Sequence, residues 1–458
     1  MFLVWRYILD MTLEKKTDHQ RNLGPTILAG CMGFMTIFAW ACSPNPFKPL
    51  TLNVELTENV GSKNSDHTIS TEGITEQTIR LGSVLALEGQ EEILGNRMKS
   101  GLEAALDGQL VQEKKIQLIF KNDYYEPLVA RKKAQRLIKS GIFLMIGNVG
   151  TPTAKQTLPI LKKNNVPAVG FFTGSELLRS RSELIINYRA TYAEEIEAVV
   201  KIALNAGVKP YEICAYVQDD SYGMSGLKGL IYALVKAEVD QYILRPYEKV
   251  LEYKEKGNKG NSLLGPIGFY PRNTPYTKEG YNSLKQWEKN TGINCRLVVT
   301  AATSTNAARF INVAKKEGEP WVISSLSFAH KEELQFDLEE YGITDQVIIT
   351  EVVPQLDSDL PIVQEAKSKL NSKFDHVSLE GYIIGKMTLK ILKAIPGEIN
   401  RESFLKQAAM SKFDLGGVVI DFTKGLNNSS NLVLISILTP QGFKDFHKYD
   451  SEKLFNNY

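Results

Sequence analysis

Apolar residues recur from residue 78 onward in two alternating rhythms. Short β-branched runs predict strands over 78–87 (TIRLGSVLAL), 116–120 (IQLIF), 143–147 (FLMIG) and 167–172 (PAVGFF). Between them, apolar residues at three- and four-residue steps predict helices over 93–106, 127–140 and 153–164. A second series follows: a helix over 192–206, a strand over 212–218, and a helix over 224–237. It continues with a strand over 296–302, a helix over 306–316 and a strand over 321–325. Alternation with short connections predicts a parallel, doubly wound sheet, and two such series predict two α/β lobes. The expected boundaries are 78–191 plus 352–404 for the first lobe and 192–351 plus 405–458 for the second. Residues 247–282, rich in Gly, Pro, Lys and Tyr, read as irregular surface, while 379–394 reads as a long helix before a β-rich tail (GGVVIDF, LVLISIL). Repeated crossings between lobes make a cleft that can hinge shut on a small ligand.

The N-terminal segment follows another pattern. Residues 26–41 (TILAGCMGFMTIFAWA) carry no charge, follow a charged stretch (LEKKTDHQRN) and end on a small residue before Cys42, which reads as an export signal. The segment resembles a bacterial lipoprotein signal, with Cys42 as the lipid-modified first residue of the mature chain. Cleavage at the upstream Cys31 would leave almost no apolar segment before it. A start at Met11 gives the usual arrangement for such a signal. An uncleaved anchor is the alternative, since 16 residues come near the ~17 that span a bilayer. The proline-punctuated, polar stretch 43–77 reads as a flexible tether.

Composition narrows the function classes. In 458 residues, 43% hydrophobic and 23% charged, the balance is that of ordinary globular protein, and a net charge of +2 without a long basic block speaks against nucleic acid. The cysteines at 31, 42, 214 and 295 form no CxxC pair and have no histidine at ligand spacing, so neither a zinc site nor a disulfide framework is indicated.

The runs IRLGSVLALEGQ (79–90), NDYYEP (122–127), IGNVGTPTA (146–154), VGFFTGSELLR (169–179), NYRATYAEE (187–195), QDDSYG (218–223), YPRNT (270–274) and SLEGY (378–382) stand in an order similar to that of the type I periplasmic binding proteins. Within them they resemble the branched-chain-amino-acid-type (Leu/Ile/Val-binding) substrate-binding proteins of ABC transporters. The resemblance spans about 78–445 and implies an α/β, two-lobed Venus-flytrap fold with three hinge crossings.

The local chemistry agrees. IGNVGTPTA places Thr151 and Thr153 at a helix start after a glycine turn, where hydroxyls and free N–H groups suit a carboxylate. GFFTGS repeats this with Thr173 and Ser175. The resemblance puts the family's carboxylate-holding hydroxyls on Thr151 and Thr173, its carbonyl for the ligand amine on Phe171, and its closing tyrosine on Tyr222, with Asp219 or Asp220 nearby. The acid that usually meets the ligand ammonium falls near Ser327, and a cleft tyrosine is replaced by Thr303. These departures make a standard branched-chain amino acid a poor fit, because an uncompensated ammonium in a closed cleft is costly. Phe171, Phe172 and Phe328 are candidates for an apolar lining.

No GxSxG, HExxH or GxxxxGK[ST] occurs, and the histidines at 19, 67, 330, 376 and 447 are scattered. Of these, His330 reads as a surface helix cap. No cofactor, metal or catalytic residue is expected. The expectation is an exported, lipid-anchored protein, facing the periplasm or cell exterior, that presents a small amino-acid-like carboxylate to an ABC permease. The alternatives are a sensing lipoprotein reporting to a membrane receptor or kinase and, further off, an exported enzyme.

Overall fold

The first sheet is built around β1 (Thr78–Leu85), whose Ile79, Leu81, Val84 and Leu85 are buried. In the computed structural model, which describes residues 72–179, 182–425, 429–446 and 450–455, β1 pairs in parallel with β3 (Lys114–Asn122) on one side and β4 (Leu144–Ile146) on the other. Further parallel strands β5 (Ala168–Val169) and β6 (Ile185–Ile186) extend it, and the short β2 (Leu110–Val111) closes the far edge antiparallel, in the order β2-β3-β1-β4-β5-β6. The expected signal, Cys42 and most of the tether lie outside the described residues. The end of the tether is already part of the fold, since Ile74 bridges Ile79 and Gly73 accepts a hydrogen bond from the Arg80 amide.

Helix Glu92–Leu106 turns Leu94, Met98, Leu102 and Ala105 inward and packs against helix His376–Lys393. The two backbones touch at Gly101, where an added Cβ would sit 2.1 Å from the Ser378 carbonyl oxygen.

The second sheet runs β15-β14-β11-β10-β9-β7-β8. Its five parallel strands are β7 (Ile213–Gln218), β8 (Ile267–Tyr270), β9 (Leu297–Ala301), β10 (Val322–Ser325) and β11 (Val347–Glu351). To these, β14 (Leu434–Thr439) and β15 (Gly442–Asp445) add antiparallel. The chain passes between lobes after β6, after β11 and before β14. Tyr188 Oη donates to the Val352 carbonyl at 3.1 Å, and Ser429 Oγ to that of Asn187 at 2.7 Å, so the first passage is hydrogen-bonded to each of the other two.

The last passage falls later than the expected 404/405. Helix Arg401–Ala409 and the hairpin of β12 (Lys412–Asp414) and β13 (Val419–Asp421) stay with the first lobe. Phe404 packs edge-on against Phe143, Arg401 donates to the Ile142 and Phe143 carbonyls at 2.6 and 2.9 Å, and the Ile362 amide donates to the Gly416 carbonyl.

Two other expectations are overturned. Residues 247–282 are not irregular surface: helix Gln241–Glu255, β8 and helix Lys278–Thr291 occupy most of the stretch. Ile243, Leu244, Tyr247, Val250 and Leu251 form a buried stripe at helical spacing, hidden in the sequence by interleaved Lys, Arg and Glu. Tyr247 is itself core, its hydroxyl donating to the Ile213 carbonyl. Cys214 and Cys295, 81 residues apart, are disulfide-bonded. Cys214 pairs across the sheet with Val298, so only strand adjacency brings the two sulfurs together, and spacing carries no hint of it. A structural disulfide belongs to an oxidising compartment, in keeping with export.

Candidate functional site

The carboxyl ends of β4 and β5 turn straight into the first lobe's face of the cleft. Gly150, at φ 97°, caps helix Thr151–Lys163, and this left-handed conformation is one a side chain would resist. Thr151 Oγ1 and Thr173 Oγ1 lie 2.7 Å apart, both buried, so the two turns bring their hydroxyls to one point. Thr153 does not join them; its hydroxyl bonds back to the Val149 and Gly150 carbonyls. Phe171 splits in two: its ring lies in the first lobe's core, not in the cleft, and its carbonyl accepts the Thr173 amide at 2.8 Å. Ser175 reaches across to Ser225 of the second lobe at 2.7 Å, and its hydroxyl also accepts from the Leu177 amide.

From the second lobe, Asp220 caps helix Ser221–Lys236 by accepting from the Tyr222 amide, which sets the Tyr222 ring on the cleft. That ring packs 4.7 Å from Phe328 and 5.4 Å from Tyr192, and its hydroxyl donates to the Ala302 carbonyl. Phe328 also meets Phe172 at 5.5 Å and Tyr125 at 6.2 Å, both from the first lobe. These aromatic faces form the apolar wall between the lobes. Tyr125 owes its place to the NDYYEP turn, where Tyr124 and Tyr125 both stand at positive φ, 57° and 56°. Such residues cost on the order of 1–3 kcal/mol each and persist only where surroundings impose them. Here the Asn122 and Asp123 side chains accept the Tyr124 and Tyr125 amides.

Charge enters the cleft through Arg189, Glu195, Glu380 and Glu91, which the sequence reading did not single out, and through Asp220, which it did. Arg189 is buried, its guanidinium 4.5 Å over the Phe172 ring, hydrogen-bonded to Ser327 Oγ and 3.6 Å from Glu380. Glu195, from helix Tyr192–Asn205, accepts the Ser327 amide at 2.8 Å and the Thr350 hydroxyl. Ser327 is therefore the meeting point of a buried arginine and a buried glutamate. Burial pushes the Glu380 carboxyl up to about 7 and raises that of Glu195, with Arg189 opposing both. Asp219 turns away to Lys254, at 2.7 Å, whereas Asp220 meets Arg272 at 2.9 Å, and Arg272 continues to Glu126 of the first lobe at 3.0 Å. Glu91, on the first lobe's β1–helix turn, is buried against Thr303. Desolvation lifts its carboxyl to about 8. His330 caps its helix as expected but is buried rather than at the surface, its Nε2 3.0 Å from Asp375 of the first lobe.

Two doubly wound lobes closing on a cleft of hydroxyl, aromatic and carboxylate groups define a bilobal solute-binding protein. A family model described as a periplasmic binding protein matches residues 78–248. Among solved structures, a possible leucine/isoleucine/valine-binding protein from Rhodopirellula baltica SH 1 is 29% identical, over 82% of this chain and 97% of that one, at a TM-score of 0.71. A fatty acid ABC transporter substrate-binding protein from Thermomonospora curvata (15% identity, 86% and 97% covered, TM-score 0.66) shares the fold. So does a branched chain amino acid ABC transporter protein from Thermus thermophilus with bound valine (13%, 82% and 96%, 0.64). The search of curated proteins returns no match. Over residues 78–248 the chain is thus similar to the periplasmic binding proteins, and its two-lobed fold is the one seen in the leucine/isoleucine/valine-binding type; these relatives are binding proteins and not enzymes. Among the described residues no helix is long and apolar enough to cross a membrane.

Proposed function

We propose that this protein captures a small, carboxylate-bearing, amino-acid-like solute by lobe closure and delivers it to an ABC importer. The observation that carries this reading is the pair of buried hydroxyls of Thr151 and Thr173, 2.7 Å apart at two strand-to-helix turns of one lobe, with Phe172 next to Thr173 in the chain packed on Phe328 of the other lobe and Phe328 on Tyr222. Two such hydroxyls, with the amides of a helix start, match the two oxygens of a carboxylate. The ligand named for the Thermus protein, valine, and that named for the Thermomonospora protein, a fatty acid, share this group. The first lobe holds the carboxylate, and the second adds Tyr222, Phe328 and the Ser225–Ser175 contact only once closed.

A thermal-shift screen over amino acids and small organic acids identifies the ligand, since one at 100 times its Kd stabilises by ~2.7 kcal/mol. Thr151→Ala and Thr173→Ala are each expected to cost about 1.5–3 kcal/mol of binding, roughly 10- to 150-fold in Kd by calorimetry. Near-wild-type affinity in both, with unchanged melting, places the carboxylate elsewhere.

Anchoring is a separate part of the reading. Cys42, after the apolar run 26–41, is taken as the lipid-bearing residue, and Cys42→Ala is expected to abolish incorporation of labelled fatty acid. Undiminished labelling of that variant removes the anchor from the proposal.

A further inference from the structure

The two lobes touch again at the end of the cleft away from the hinge. In the first sheet the chain leaves after β6, on the far side from β3. In the second, two of the three passages join β11 and β14, on the far side from the edge strand β8. The turns that follow β3 and β8 are NDYYEP and YPRNT, and they meet at the mouth of the cleft. Asn273 donates to Glu126 Oε1 at 2.7 Å and to the Tyr124 carbonyl at 3.4 Å, while Arg272 Nη2 donates to Glu126 Oε2 at 3.0 Å. Tyr124, Tyr125 and Asn273 all stand at positive φ, 57°, 56° and 55°. Asparagine tolerates that conformation, but two consecutive tyrosines do not, and strain of this kind collects at clamps and switch segments.

Arg272 works as a fork. Its Nη1 donates to Asp220 Oδ2 at 2.9 Å within the second lobe, and Asp220 Oδ1 accepts the Tyr222 amide at 2.9 Å. Gln218 donates to the same Asp220 Oδ2 at 2.8 Å and accepts from the Tyr270 hydroxyl, which itself accepts the Thr303 amide. The Asp220 side chain is 12% exposed and that of Glu126 44%. The arm inside the second lobe is therefore sheltered and fixed, and the arm that crosses to the first lobe is the one for which water competes. A planar guanidinium can serve both carboxylates at once, whereas a lysine ammonium is a point charge without that fork. We propose that Arg272 is a positioning residue for lobe closure: held on the Asp220 that caps the Tyr222 helix, it captures Glu126 across the mouth of the cleft and slows reopening. This rests on the lobe-closure reading and assigns what fastens the closed form.

Opening can be timed without a ligand. Ser225 of the second lobe is 4% exposed and meets Ser175 of the first, so the cysteine of a Ser225→Cys parent reacts with N-ethylmaleimide when the lobes part. Labelling of the full chain is followed by mass at the peptide carrying residue 225. The parent is compared with the same chain carrying Glu126→Gln, Arg272→Lys or both, at low and at high salt. Glu126→Gln is expected to label about 3- to 10-fold faster with an unchanged melting midpoint, since it removes one partly exposed charged contact between lobes. Arg272→Lys is expected to fall between the parent and Glu126→Gln, and the two together to label no faster than Glu126→Gln alone. High salt should speed the parent and leave Glu126→Gln nearly unchanged, a response that a merely structural role would not give. Equal labelling of the parent and Glu126→Gln overturns the clasp and leaves closure standing. An Arg272→Lys effect that adds fully to that of Glu126→Gln, or faster labelling that tracks a lowered melting midpoint, overturns it too. A parent that labels as fast as a free thiol, or solely in denaturant, shows that the lobes do not open and close over Ser225, and overturns the clasp together with the closure reading.

Discussion

The double variant Cys214→Ala/Cys295→Ala is expected to lose about 4 to 5 kcal/mol of stability and to melt roughly 10 °C below the wild type. The bridge closes a loop of 81 residues that contains helix Ser221–Lys236, helix Gln241–Glu255, β8 and helix Lys278–Thr291. Without it the unfolded chain regains the freedom of that whole span. In the folded state Cys214 and Cys295 are buried in the second lobe's core beside Tyr216, Val298 and Phe310, where an alanine pair leaves little more than two small voids. Ligand affinity at 25 °C is expected to stay close to wild type, because Tyr222, Asp220 and Tyr270 are held by their own hydrogen bonds. Scanning calorimetry of both proteins, with mass mapping of unreduced peptides, checks this. A linked 214–295 peptide pair together with an unshifted melting midpoint contradicts the stabilising role.

The contrast between what was legible in the chain and what was not follows from the range of the forces involved. Strand β1 and helix Glu92–Leu106 are set by local periodicity against one core, and the sequence shows both. Thr151, Thr173 and Tyr222 sit at strand-to-helix turns, and a turn is a local feature with a local signature. Arg189, Glu195, Glu91 and Tyr125 acquire their roles only when the lobes meet. Their sequence contexts are those of solvated charges and an ordinary turn, and nothing nearby in the chain marks them as buried. His330 shows the boundary well: its capping role is local and was readable, while its burial depends on Asp375, 45 residues away. The helix Gln241–Glu255 failed for a third reason, since its tyrosines and lysines serve both a surface reading and a buried stripe with snorkelling heads.

Raising the pH from 6 to 9.5 is expected to destabilise the closed, folded protein through His376. This residue opens helix His376–Lys393 of the first lobe, and its ring nitrogens meet Glu332 and Glu351 of the second. Lys331 also pairs with Glu351, at 2.7 Å, and beside this group His330 and Arg97 share Asp375. Burial and the helix N-terminus both disfavour a charged imidazole. The two carboxylates outweigh them and hold His376 at about 9, against 6.5 when free. A raised pKa means that the folded state binds the proton more tightly, so the contribution is complete below pH 6.5 and disappears as the pH climbs through 9. It is on the order of 3 kcal/mol. The same contacts hold Glu332 and Glu351 at about 2, so that side of the interaction is present above pH 4.5 and lost only as the pH falls through 2. Buried Glu91, Asp123 and Glu380 also titrate at about 7 to 8 and lower stability with rising pH. They do so equally in a His376→Gln variant, and the difference between the two proteins isolates the histidine. The fall in melting temperature between pH 6 and 9.5 is therefore expected to be roughly 5 °C larger in the wild type than in His376→Gln. Because the ion pairs join the two lobes, ligand release should also quicken with pH in the wild type and not in the variant. Parallel melting profiles across this range would show that His376 carries no charge between its two glutamates.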